Sequence, residues 1–232
     1  MLDPNFHITT PRLYLSYLNP SNDAHMSFMV RLVNSPEIVA VVAQTHAKSP
    51  PPPQSVSEAR LAMASAAERL EKTGSGRYII SLRTPDTDFT DESGDREYLG
   101  IVSMQLKRFP DIECPKIPDI GFLLLSEYHG KGYASEACNA LMQHFKETRG
   151  HERFAGFTHP ENVNSQRLFR RLGFEDRGTM DVAGVIWGNS SAARVAVWVK
   201  GVSPDTDLGD LGIGPGLGEA SNMGSVVNKL VG

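Results

Sequence analysis

Residues 119–145, DIGFLLLSEYHGKGYASEACNALMQHF, constrain this chain more than any other stretch. Asp119 opens them, and a continuous apolar run follows at residues 122–125. Such a run bounded by polar residues reads as a buried strand, here over residues 119–126. His129-Gly130-Lys131-Gly132 reads as a tight turn, and a helix begins at Gly132 or Tyr133. Its apolar positions Tyr133, Ala137, Leu141 and Phe145 recur every four residues, which stacks them on one face. A strand, a glycine turn and an amphipathic helix in that order point to an α/β fold.

The start of that helix is the chemical point of the stretch. Its first N–H groups lack intrahelical partners, and the helix dipole is positive there. Gly130 and Gly132 carry no Cβ, so a ligand can approach the backbone, and Lys131 adds a full positive charge. That combination suits a phosphate or pyrophosphate group. The same two glycines also suit a plain strand-to-helix turn. The spacing is not that of the familiar nucleotide loops. A P-loop needs Gly, four residues, then Gly-Lys-Ser/Thr, which is absent. The Rossmann pattern needs a third glycine where Ser135 stands, and an acidic residue about 20 residues on, closing a strand, which is also missing.

The string GFLLLSEYHGKGYASEA resembles the acyl-CoA-binding motif of the GNAT N-acetyltransferase superfamily, Gln/Arg-x-x-Gly-x-Gly/Ala. Here the motif falls on His129, Gly132 and Ala134, with histidine in place of Gln or Arg. A second block, PENVNSQRLFRRLGF at residues 160–174, resembles the family's Asn-x-x-Ser/Ala…Gly-Phe segment through Asn162, Ser165, Gly173 and Phe174. A third, TPRLYLSYL at residues 10–18, resembles the opening strand of the branch that contains ribosomal-protein N-terminal acetyltransferases. The resemblance covers residues 9–200. It implies a mixed, mostly antiparallel central sheet flanked by helices, splayed between the central strand and the next to admit a pantetheine arm.

The resemblance also implies a reaction, the direct attack of a primary amine on the thioester of acetyl-CoA. The cofactor must be held, the amine must be neutral, and charge on the thioester oxygen must be stabilised. By the same resemblance, His129 and the backbone amides of Gly130, Lys131, Gly132, Tyr133 and Ala134 would hold the pyrophosphate. The backbone of Leu124 and Leu125 would pair with the pantetheine amides. Asn162 and Ser165 match positions that touch the cofactor, and Asn162 also suits a helix cap. Asp119 stands where several members place a carboxylate that acts through water; its other reading is a salt bridge at the start of a strand. Glu127 and His159 are further candidates for the base, the histidine because imidazole titrates in the useful range. The family's usual general acid is a tyrosine in the helix after the second block. Phe169 stands there and cannot protonate a thiolate. Ser165 or water would have to do so, or the thiolate leaves unprotonated.

The rest of the chain reads as one sizeable domain, residues 1–200, followed by a tail. A length of 232 residues with 40% apolar and 22% charged residues is ordinary for a globular protein. A formal charge of −4 argues against a nucleic-acid-binding surface. Cys114 and Cys138 are not a short-spaced pair, so neither a disulfide framework nor a metal site is expected. No apolar run is long enough to span a membrane and MLDPNFHITT has no secretory core, so a cytoplasmic protein is expected, monomeric or homodimeric.

In order, the patterns predict a strand over 9–18 and a helix over 23–34. An apolar stretch at 38–43 reads as a short helix or a cleft wall, and a stiff proline run follows from Ser49. A helix over 55–73 and strands over 77–83 and 97–108 come next. Between those strands lies a loop with Asp86, Asp88, Asp91, Glu92 and Asp95, which suits a cationic acceptor. A strand over 153–158, a helix over 162–172 and two paired strands at 174–180 and 194–200 complete the domain, with Trp187 between the last two. Residues 201–232 hold 8 of the 21 glycines, with four acids to one base, and read as a flexible tail. The function expected is acetyl transfer to a protein N-terminus or a small amine. The alternative is a non-catalytic acyl-CoA-binding or scaffold protein on the same fold.

Overall fold

The computed structural model describes residues 2–45, 51–84, 88–90, 96–109, 111–186 and 190–214. The start of the proline run (Ser49, Pro50), four acids of the acidic loop (Asp86, Asp91, Glu92, Asp95), Trp187 and residues 215–232 lie outside the described residues. The chain divides into two compact units, Met1–Met104 with Ile120–Gly150, and Gln105–Asp119 with His151–Gly232.

In the first unit the strands β1 (His7–Thr9), β2 (Leu13–Tyr17), β3 (Gly76–Leu82), β4 (Tyr98–Gln105) and β5 (Asp119–Leu124) neighbour one another in chain order. The pairs β1/β2, β2/β3 and β3/β4 are antiparallel. Residues 9–18 do not run as one strand, as the alternation suggested. The Thr10 N–H donates to the Leu13 carbonyl at 2.9 Å, and the Thr10 hydroxyl accepts from the Leu13 N–H at 2.8 Å. Pro11 has no N–H to offer a ladder, so the chain folds back here as a hairpin.

Four helices pack with these strands: α1 (Asp23–Val33), α2 (Pro36–Thr45), α3 (Val56–Thr73) and α4 (Tyr133–Arg149). Asn22 caps α1 by accepting from the Ala24 and His25 amides, and Ser55 caps α3 by accepting from Glu58. The stretch that read as helix or cleft wall is helix α2, opened by Pro36 where its missing N–H costs nothing. Met26, Met29, Leu32, Ile79, Ile101 and Leu125 form a core cluster, each buried side chain contributing roughly 2 kcal/mol. Cys138 is fully buried within α4 and burial pushes its thiol up, which makes it an inert core residue.

The second unit holds β6 (Phe154–Thr158), α5 (Val163–Arg171), β7 (Glu175–Val182) and β8 (Ala193–Lys200). Its strands run in the order β6-β8-β7, all antiparallel. β5 and β6 are parallel, with Asp119 registered opposite Ala155. The glycine-rich stretch from Gly201 is packed as far as Gly214, contrary to its composition. Val202, Leu211 and Ile213 are buried in the core with Val197 and Val199. The Arg177 guanidinium donates to the carbonyls of Ser203, Pro204 and Thr206 at 2.8–3.1 Å. Lys116 and Ala183 amides bond the carbonyls of Leu211 and Gly214. Three apolar residues suffice here because the glycines make tight turns; Gly212, at φ 67°, allows the backbone to reach the Cys114 carbonyl, where a Cβ would stand at 2.6 Å.

Candidate cofactor loop and catalytic residues

The Leu125 amide, just past β5, donates to the Leu99 carbonyl at 3.0 Å, and its own carbonyl accepts from the Tyr128 amide at 3.1 Å. Both backbone groups of Leu125 are therefore bonded inside the first unit. A short 3₁₀ turn, Ser126–Tyr128, leads to His129. The His129 Nε2 lies 3.0 Å from the Leu124 carbonyl. A carbonyl only accepts, so Nε2 is the protonated nitrogen and donates, tying the turn back onto the end of the strand. The Leu124 carbonyl is thereby engaged.

The turn itself depends on two left-handed glycines, Gly130 at φ 74° and Gly132 at φ 82°. The space above Gly130 is open, with no atom within 4 Å of where a Cβ would stand. The first helical bond of α4 runs from the Glu136 amide to the Gly132 carbonyl at 3.1 Å. Before it, the six consecutive amides from Gly130 to Ser135 find no acceptor among the described residues. They sit at the positive end of a 17-residue helix. Lys131 stands exposed among them, its Nζ 5.5 Å from the Tyr128 ring centre. The Tyr128 hydroxyl donates to Glu97 at 2.6 Å, and burial, with Glu97 beside it, pushes it up to about 12.

Glu136, in the first turn of α4, is held by β2 and the residues before it. It accepts from the Thr10 hydroxyl at 2.6 Å, the Arg12 amide at 2.9 Å and Arg12 Nε at 2.7 Å. Burial works to raise this carboxyl, but the bonds from Thr10 and Arg12 and the guanidinium charge outweigh it and hold it below the usual carboxylate range. Arg12 also donates from Nη1 to the Lys131 carbonyl at 3.0 Å, and its guanidinium lies 4.6 Å from the Tyr133 ring centre. Glu127, a candidate base, is ion-paired on the surface with Arg31 at 2.5 Å.

Asp119, His159, Asn162 and Ser165 belong to the second unit. Asp119 is held in an ion pair. Its two oxygens accept from Arg108 Nη1 at 2.8 Å and Nη2 at 2.6 Å, and the two side chains are only 5% and 7% exposed. A base that works through water needs an accessible lone pair, and a buried bidentate pair offers none. His159 is half-buried, and its Nδ1 accepts from the Glu161 amide at 3.3 Å, which puts the proton of the neutral ring on Nε2. Asn162 caps α5, its Oδ1 accepting from the Ser165 amide at 3.0 Å. The Ser165 side chain is half-buried in the first turn of that helix. Phe169 is 1% exposed and stacked on Trp198 with ring centres 5.8 Å apart.

Residues 12–175 match the model of the acetyltransferase (GNAT) domain. The chain belongs to the GNAT acetyltransferase family. Its fold is that of the family's solved structures. RimL, a ribosomal-protein alpha-N-acetyltransferase, is 21% identical with a TM-score of 0.61, over 84% of this chain and 93% of that one. An acetyltransferase from Salmonella typhimurium that modifies an N-terminal serine of a 50S ribosomal subunit protein is 20% identical, TM-score 0.61, over 85% of this chain and 100% of its own. The microcin self-immunity acetyltransferase MccE, solved with acetyl-CoA and AMP, is 18% identical, TM-score 0.61, over 86% and 97%. An uncharacterized N-acetyltransferase of Bacillus subtilis, YnaD, is 38% identical over 61 residues, 26% of this chain and 35% of that protein. The chain thus matches about a third of that relative's length.

GNAT enzymes take their acetyl group from acetyl-CoA. The GNAT tyrosine position is a core position here, filled by Phe169. Sequence reasoning missed the pairing of Arg12 with Glu136; it offered a salt bridge for Asp119 but not Arg108 as the partner. The first joins residues 124 apart in the chain. A carboxylate in the first turn of the helix, next to an anion-binding turn, was the one available hint that a cation must stand nearby.

Proposed function

We propose that this chain binds acetyl-CoA at the turn before α4 and transfers the acetyl group to a primary amine. The observation that carries this is the row of six amides, Gly130 to Ser135, that find no acceptor among the described residues, at a helix N-terminus beside Lys131. In this reading Gly130, Lys131, Gly132, Tyr133 and Ala134 hold the pyrophosphate through backbone N–H groups. His129 holds the turn to Leu124. Asn162 caps α5, and it and Ser165 match family positions that touch the cofactor. The amine nitrogen attacks the thioester carbonyl carbon, a C–N bond forms, the C–S bond breaks, and CoA leaves as the thiolate. The ammonium proton leaves to water or to His159, once that ring releases the Glu161 amide. With Phe169 in the core, the thiolate takes its proton from water or from Ser165.

The acceptor is a protein N-terminus or a small amine; the neighbours that act on ribosomal-protein N-termini support the first. We place the protein in the cytoplasm, as a monomer or homodimer, with no membrane or nucleic-acid partner. Among the described residues no helix is long and apolar enough to cross a membrane. A second reading is a non-catalytic acyl-CoA-binding protein, favoured by the ion pair that holds Asp119 and by Phe169. Calorimetry with acetyl-CoA on the native chain and on Gly132→Glu tests the cofactor. Saturable binding that the variant loses supports it, and no heat with the native chain sinks it. CoA release with a panel of amines and N-terminal peptides then separates enzyme from binder.

A further inference from the structure

We propose that Arg12 is a positioning residue of the phosphate-binding turn, acting through Glu136 and the Lys131 carbonyl. The inference rests on the acetyl-CoA reading above. It starts from a conflict. An anionic ligand at the start of α4 meets a carboxylate, Glu136, one helical turn away, held in its charged form. Like charges at that spacing oppose each other. Arg12 removes the conflict by donating Nε to one Glu136 oxygen at 2.7 Å, with Nη2 at 2.7 Å from the same oxygen, while the Arg12 amide and the Thr10 hydroxyl take the other. The first turn of the helix is left neutral, and its dipole remains available to the ligand.

The second action is geometric. Arg12 Nη1 draws the Lys131 carbonyl toward itself at 3.0 Å. The Lys131 carbonyl and the Gly132 N–H belong to one peptide unit, and no peptide bond among the described residues is cis. In a planar trans unit the two groups point in opposite directions. Pinning the carbonyl therefore aims the Gly132 amide away from Arg12 and into the row that holds the ligand. The guanidinium also lies over Tyr133, the first residue of α4. One side chain thus fixes both the orientation of the turn and its charge, and a lysine could not replace it, since a point charge cannot reach Glu136 and the carbonyl with a rigid fork.

The test compares acetyl-CoA with S-acetylpantetheine, which lacks the diphosphate, by ligand-observed titration against the full chain. Arg12→Ala lowers acetyl-CoA affinity by about tenfold or more, the scale of a charge-assisted bond. S-acetylpantetheine affinity changes less than about twofold, so the ratio of the two falls. Arg12→Lys gives an intermediate loss. Adding Glu136→Gln to Arg12→Ala restores part of the affinity, because the uncompensated charge is gone. If Arg12→Ala does not fold, Arg12→Lys serves alone, and native acetyl-CoA affinity in that variant overturns the proposal. Equal losses for both thioesters, or native acetyl-CoA affinity in Arg12→Ala, also overturn the proposal. A native chain that binds no acetyl-CoA removes the cofactor reading itself, and the Arg12 inference with it.

Discussion

The turn before α4 and the start of α5 carry the two motif blocks of the family, yet they spend their polar groups in opposite ways. The turn leaves the amides of Gly130 to Ser135 without an acceptor among the described residues, above open space at Gly130. The start of α5 satisfies itself. Asn162 caps the helix, His159 accepts from the Glu161 amide, and Phe169 is stacked in the core. Asp119, in the same unit, is closed in a buried ion pair. Unpaired donors at an exposed helix start are open to water or to a ligand, whereas satisfied ones are not. On the proposed reading, cofactor affinity is built into the backbone, while each candidate base named above already has a partner.

Breaking the turn should have the largest effect. Gly132→Glu forces a left-handed φ of 82° on a side chain and puts a carboxylate at the anion site. Acetyl-CoA affinity by calorimetry should fall by about a thousandfold or more, near 4 kcal/mol. Asp119→Ala tests the other side of the comparison. It strands the Arg108 guanidinium, 7% exposed, and should lower stability by about 3–5 kcal/mol in urea unfolding. Were Asp119 instead a base, the variant would keep its stability and lose only turnover.

The third prediction concerns pH. His25 is buried against Tyr98, its Nδ1 accepts from the Asn19 amide, and burial, with Arg96 adding to it, lowers the ring to about 4. The folded state therefore favours the neutral ring. The contribution is complete above the unfolded value near 6.5 and is lost as pH falls toward 4. The loss is roughly 3 kcal/mol, read as falling denaturant midpoints between these pH values. His25→Gln should flatten that slope. The smallest effect belongs to Asn162→Ala, about 1 kcal/mol of stability from the lost cap. If Asn162 is only a cap, acetyl-CoA affinity in that variant stays within about twofold; a larger loss would move Asn162 to the cofactor side of the comparison.

Much of the fold was legible because burial leaves a periodic trace. The apolar run at residues 122–125 and the four-residue spacing through Ala137, Leu141 and Phe145 gave β5 and α4 their places. Features decided by pairing over long separations were not legible. Nothing near Asp119 announces Arg108 as a partner that fills both oxygens, and nothing near Arg12 announces Glu136. The hairpin at Thr10 was hidden because a hydroxyl-bonded turn interrupts an alternation that otherwise continues. Composition misled at residues 201–214, where glycine marks tight packing rather than freedom.

That packed segment has a consequence for what counts as a module. The family match ends at residue 175, the first residue of β7. Yet β6 pairs along its whole length with β8, from Phe154 opposite Lys200 to Thr158 opposite Ala196, and the core under β8 is closed by Val202, Leu211 and Ile213. The stretch inherited as a recognisable family signature is therefore shorter than the stretch that must fold together. A chain cut at the end of the signature would lose the partner strand of β6, and one cut at Lys200 would bare the apolar face now covered by Val202, Leu211 and Ile213. Heredity and cooperativity draw different borders here, and a shuffled or fused version of this domain must respect the second.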